Sequence, residues 1–105
     1  MTNKHLRHCY ATANRLYFRN KLPKDLPVRF AKTPKHVLGR TKVCKHNCAA
    51  SLEISKDLKH LESPTIIVLL HECVHVENPQ WRGHGWQFEH RMLELAKAGA
   101  FAGLW

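Results

Sequence analysis

Five consecutive residues, His71-Glu72-Cys73-Val74-His75, hold the side chains best suited to chemistry in this 105-residue chain. On a helix, residues four apart lie about 40° from one another around the axis and one turn along, so His71 and His75 can aim both imidazoles at one point. Two imidazoles so placed suit a zinc ion. Glu72 is one step round from His71, where it can face a metal-bound water without ligating the metal, the position a general base needs. Cys73 and Val74 turn the other way, and Cys73 reads as a small buried hydrophobe rather than a ligand.

Catalytic zinc typically takes three protein ligands and keeps a fourth position for water. The candidates for the third are His84, Glu89, His90 and Glu94. His84 is preferred because it sits between Gly83 and Gly85, at a loop-to-helix junction where the backbone can come close. His90 lies more than a turn and a half further on and reads as a helix-surface residue. Glu94 would serve in a scheme of two histidines and a carboxylate from a following helix.

The motif needs a helix, and the flanking sequence supplies one. Ser63-Pro64 reads as an N-cap with proline at the first helical position, opening the apolar run Ile66 to Leu70. Asn78-Pro79 should end that helix, because proline disfavours the helical conformation of the residue before it. Phe88, Met92, Leu95 and Ala96 mark one face of a third helix that Gly99 closes. At the other end of the chain, Leu6, Cys9, Tyr10, Ala13, Leu16 and Tyr17 recur at three and four and predict an amphipathic helix between Thr2 and Asn20. Between these helices Leu26-Val28-Phe30, Val37 to Val43, and Ala50-Leu52-Ile54 alternate as three short strands.

The length allows one domain over residues 1–105. There is no apolar run of membrane-spanning length and no apolar stretch behind the charges of Met1-Thr2-Asn3-Lys4-His5 to act as a secretory signal. A cytoplasmic protein is expected, and in a reducing compartment the four cysteines should stay free or bind metal. Cys44, His46 and Cys48 would share one face of an extended strand, where they could hold a second metal, although two free thiols beside a surface histidine in a hairpin loop is the preferred account. The formal charge of +9 is uneven: residues 1–52 carry 12 Lys/Arg against the single acid Asp25, and residues 53–105 carry 5 against 7 acids. That bias points to DNA as a partner of the basic half, through counterion release from phosphates, or else to a solvated surface.

Taken together, Asn14-Arg15-Leu16-Tyr17-Phe18 followed by Leu22-Pro23, Gly39 on the second strand, Ile54-Ser55, and above all His71-Glu72-x-x-His75 with His84-Gly85-x-x-Phe88 resemble the SprT-like zinc metallopeptidases, the family of the Spartan protease core. The resemblance spans roughly residues 10 to 95. It implies one catalytic Zn2+ held by His71, His75 and His84, with Glu72 as the base. With the element order it implies an α+β, zincin-like minimal metalloprotease core: an N-terminal helix, a three-stranded antiparallel sheet, and two helices carrying the zinc site. Many members add a cysteine-rich zinc ribbon after this core, and no cysteine follows Cys73 here.

The expected reaction is endopeptidase hydrolysis of a protein or peptide substrate, in which Glu72 takes a proton from the attacking water and passes it to the leaving amine. An extended substrate could add to a strand edge formed by the Ala50 to Ser55 run, with main-chain hydrogen bonds giving broad specificity. The alternative is a zinc-stabilised module that binds DNA or protein with little or no hydrolysis. Against that reading, a purely structural zinc site usually closes with four protein ligands and has no use for a base such as Glu72.

Overall fold

The computed structural model describes residues 1–81 and 83–104. Helix α1 spans Asn3–Tyr17 and opens where the Thr2 hydroxyl accepts a hydrogen bond from the His5 N–H, a side-chain cap on an otherwise orphaned donor. Its buried residues are Leu6, Tyr10, Ala13 and Asn14. Leu16, expected on that stripe, is instead 54% exposed. It lies ten residues after Leu6 and so about 80° away from it around the axis. Asn14 takes the inward place at the helix end: its Nδ2 donates to the Leu22 carbonyl at 3.1 Å and its Oδ1 accepts from the Leu22 N–H at 3.0 Å. The Asn14 to Leu22 segment is thus a structural clasp that returns the chain toward the sheet.

Three strands follow: β1 (Val28–Ala31), β2 (Gly39–Val43) and β3 (Ala49–Ser55). The expectation of an antiparallel sheet is corrected to a mixed one. The spatial order is β1-β3-β2, with β1 parallel to β3 and β2 antiparallel to it. Residues 32–38 carry the chain from one edge to the other, so β1 and β2 never pair and β3 enters between them. That order also removes Ala50 to Ser55 as a docking edge, because both sides of β3 are already hydrogen-bonded within the sheet.

The turn joining β2 to β3 overturns a second expectation. Cys44 and Cys48 are bonded to each other as a disulfide with their Cα atoms 5.4 Å apart, inside the span a disulfide bridges. The segment is no extended strand: Cys44 N–H donates to Cys48 O at 2.8 Å, and Asn47 has a φ of 57°. The chain therefore turns between the two cysteines and faces their sulfurs, which are neither free thiols nor ligands of a second metal with His46.

Register separates the two faces of the sheet. Val28, Phe30, Leu52 and Ile54 join the core with Leu6, Tyr10 and Phe18 from α1 and with Leu69, Leu70, Cys73 and Val74 from helix α2 (Glu62–Glu77). The opposite face carries Glu53, only 2% exposed, beneath Arg29, Arg40 and Lys42 at 2.9, 2.7 and 3.6 Å.

Helix α2 starts at Glu62, with Leu61 in the cap position and no side-chain cap bond, so Ser63 is not the N-cap. Thr65 tethers the entry instead, its hydroxyl donating to the Leu58 carbonyl at 2.7 Å. The helix ends at Asn78, as Pro79 requires, and helix α3 spans Trp86–Lys97, after which Gly99 turns the chain with a φ of 86°. Among the described residues, no helix is long and apolar enough to cross a membrane.

Candidate metal centre

His71 and His75 project from the C-terminal half of α2, and His84 meets them from the loop before α3. Gly83, with a φ of 76°, adopts the left-handed conformation in that return loop, which side-chain-bearing residues rarely take. The three histidines each offer a nitrogen, and these atoms lie within 4.8 Å of one another. Among the described residues no other group of His, Cys, Asp and Glu converges in this way. Glu89, His90 and Glu94 are exposed on α3 and stand outside the cluster. Cys73 is fully buried in the core.

The arrangement suits a metal ion. Two imidazole nitrogens bound to one tetrahedral zinc, each at about 2.0–2.1 Å, would stand about 3.3 Å apart. The Nε2 atoms of His75 and His84 are 3.2 Å apart. Burial, and then the neighbouring His75 and His84, push the His71 pKa down to about 4, and burial with His84 lowers that of His75. Both rings are therefore neutral near pH 7 and present lone pairs rather than charges.

Beneath the cluster lies Phe88, 5% exposed, with ring centroids 4.8, 4.7 and 4.6 Å from His71, His75 and His84. One ring thus touches all three imidazoles, stacked with His75, tilted to His84 and edge-on to His71. Arg91, one turn further along α3, sets the helix in place. Its guanidinium bonds Glu77 at 2.8 Å and the Tyr17 carbonyl at 2.8 Å, and lies 5.0 Å from the centre of the Phe18 ring. The C-terminal ends of α1 and α2 are thereby tied to the helix that carries Phe88.

Glu72 is 5% exposed, and its Oε2 lies 3.8 Å from His71 Nε2. Burial raises its pKa to about 7, against the opposing pull of a hydrogen bond from Thr41. Thr41 Oγ1 is 3.0 Å from Glu72 Oε1 and 3.2 Å from the Glu72 carbonyl. Gly39 makes this approach of β2 to α2 feasible, since a Cβ there would stand 2.6 Å from Val68 Cγ1 and 3.2 Å from Glu72 Cγ. Neither Thr41 nor Arg91 was singled out from the sequence. Thr41 left a signal, being a polar residue two positions from Gly39 and so on the same, inward face of β2. The partners of Arg91 lie 14 and 74 residues away in the chain and left none.

A cleft of about 400 Å3 opens over these groups, lined on one side by Gly39, Arg40, Thr41 and Val43 of the edge strand and on the other by the histidines, Pro79 and Trp81. Neither a curated protein nor a solved structure matches the chain significantly. The sequence pattern of one family does, over residues 6–102, a span that takes in the Asn14 clasp, the β2 edge, the three histidines and Phe88: the chain belongs to the SprT-like family.

Proposed function

We propose that the chain is a zinc-dependent endopeptidase. The observation that carries this reading is a buried carboxyl, Glu72, held by Thr41 beside a three-histidine cluster at the floor of an open cleft. Zinc bound by His71, His75 and His84 would supply Lewis acidity, polarising a carbonyl and acidifying a water. The Glu72 carboxylate accepts the proton of the attacking water at one oxygen while Thr41 fixes the other, and then returns it to the leaving amine. In the metal-free protein burial raises the Glu72 titration point to about 7, and a cation held by the three histidines would draw it down toward the ionised form a base needs. The exposed edge of β2, in place of β3, offers main-chain hydrogen bonds to an extended peptide across the cleft.

The test is Glu72→Gln with zinc added. Peptide turnover is expected to fall by about 10²–10⁴-fold with metal content by elemental analysis unchanged. Retained turnover would remove Glu72 as the base, and lost metal would make it a ligand.

DNA is proposed as a further partner of residues 1–52. Arg29 and Arg40 are taken up by Glu53 on the outer face of the sheet, whereas Lys4, Arg7 and Arg15 stand exposed on α1. Affinity for single-stranded DNA should fall steeply with added salt if these cations contact phosphates. A flat salt dependence would remove that partner.

A further inference from the structure

The cleft has a second lobe. A hollow of about 370 Å3 meets the first at Gly39, His71, Glu72 and His84, but its remaining wall is Val37, Leu38, Ile67, Val68 and Met92, with His36 at the side. Among the described residues, and apart from Glu72 at the shared lip, no acidic residue, lysine or arginine lines it.

The hollow is built by elements that have other reasons to be where they are. Ile67 and Val68 precede His71 by four and three residues and so share its side of α2, yet both stay partly exposed while Leu69 and Leu70 are sealed in the core. Leu38 is 53% exposed, but its main chain is pinned, its carbonyl accepting from the Ser55 N–H at 2.8 Å. Met92 reaches in from α3 with an unbranched, adaptable side chain. A pinned apolar wall left open to water beside a candidate catalytic group is suited to a substrate side chain, because filling it with a leucine-sized group removes apolar surface from water on both partners. A charged side chain there would be desolvated against Val37, Leu38, Ile67, Val68 and Met92, none of which can pair with it. Successive side chains of an extended peptide on the β2 edge point to opposite faces, so a residue next to the bond at Glu72 can turn into this hollow.

We infer that the Val37-Leu38-Ile67-Val68-Met92 hollow is a specificity pocket for an aliphatic or aromatic side chain adjoining the scissile bond. Cleavage is then selective on one side of that bond, in place of the broad specificity expected from main-chain contacts alone. This inference rests on the endopeptidase reading.

The zinc-loaded protein is given a peptide library with all residue types on both sides of the cleaved bond, and the cut sites are mapped by mass spectrometry. Leu, Ile, Met and Phe should be enriched about 10–200-fold on one fixed side. Leu38→Glu places a carboxylate at the half-exposed wall, and the Leu-over-Lys ratio there should invert. A second readout does not depend on turnover. The chain has two methionines, so the Met92 ε-methyl resonance is readily followed in the zinc-loaded Glu72→Gln protein. It should shift with a peptide hydroxamate bearing a leucine side chain and not with the aspartate counterpart. Cleavage without enrichment, a Leu38→Glu profile like the parent's, or equal Met92 shifts with both probes would overturn the pocket and leave the peptidase reading standing. No Glu72-dependent cleavage of any peptide would overturn both.

Discussion

Two carboxylates lie almost equally buried in this protein, Glu53 at 2% exposure and Glu72 at 5%, and their surroundings push them in opposite directions. Burial favours the protonated form of each. At Glu53 that tendency is outweighed by hydrogen bonds from Arg40 and Arg29 and by the charges of Lys42 and Arg40, so its pKa falls below the usual carboxylate range. At Glu72 the counterweight is the Thr41 hydroxyl alone among the described residues, and the pKa rises to about 7. The cations sit on the outer face of the sheet and the hydroxyl on the inner one, so a single sheet separates a carboxylate held ionised by its partners from a carboxyl that burial holds toward its neutral form.

Glutamine at each position separates the two roles. Glu72→Gln should give the largest effect in the molecule, a loss of turnover of about 10²–10⁴-fold, with no loss of stability. Glu53→Gln should do the reverse. It removes the charge that Arg29, Arg40 and Lys42 share and turns one acceptor oxygen into an NH2 donor facing a guanidinium, and should lower stability by about 1–3 kcal/mol, less than the loss of a wholly buried pair because the cations are one-third to one-half exposed. Urea unfolding and peptide assays on the same samples would read both. A stability loss at Glu72→Gln as large as at Glu53→Gln would collapse the distinction.

The pH dependence of stability in the metal-free protein sharpens it further. For Glu53 the folded pKa is depressed, so its contribution is present above the unfolded value of about 4.3 and is lost as pH falls through the folded value. For Glu72 the folded pKa is raised, so its contribution is present below about 4.3 and is lost as pH rises toward about 7. Relative to Glu53→Gln, the parent should gain stability as pH rises from acid. Relative to Glu72→Gln, it should lose stability between about pH 4.3 and 7. Urea midpoints measured across this range would expose any inversion of either sign.

Phe88→Ala should act between these extremes on the metal. Removing the ring that underlies three imidazoles loosens their mutual orientation, and zinc affinity should weaken by about 10–100-fold in a competition titration with a chelating dye. An unchanged affinity would mean that the backbone of α2 and the His84 loop holds the cluster without the ring.

What was legible in the chain follows the range of the interactions. The i, i+4 histidines, the proline stop at Asn78 and the glycine after α3 are governed by neighbours a few residues apart, and periodicity exposes them. His84 could be chosen only because two glycines flank it and a resemblance pointed the same way. The order β1-β3-β2 was not legible, since alternation marks a strand without naming its neighbour. Alternation does not disclose the Cys44–Cys48 bond, because the segment turns between the two cysteines instead of continuing as a strand. The pairing of Arg29 and Arg40 with Glu53 depends on that same strand order, and a basic first half read as a bulk charge conceals that two of its arginines are committed to a buried acid.

Thr41 gives the smallest and most pointed effect. Its hydrogen bond favours the ionised form of Glu72, so Thr41→Val should raise the Glu72 titration midpoint in the metal-free protein, followed by carboxyl carbon NMR. With zinc present, kcat should fall more than KM rises, because a carboxylate free to rotate is less often aligned for proton transfer while the peptide still meets the same edge strand. Thr41→Ser keeps the hydroxyl and should restore both the midpoint and most of kcat. A valine variant with the parent's midpoint and rate would show that burial between β2 and α2, where Gly39 allows the close approach, is enough to orient Glu72 without help.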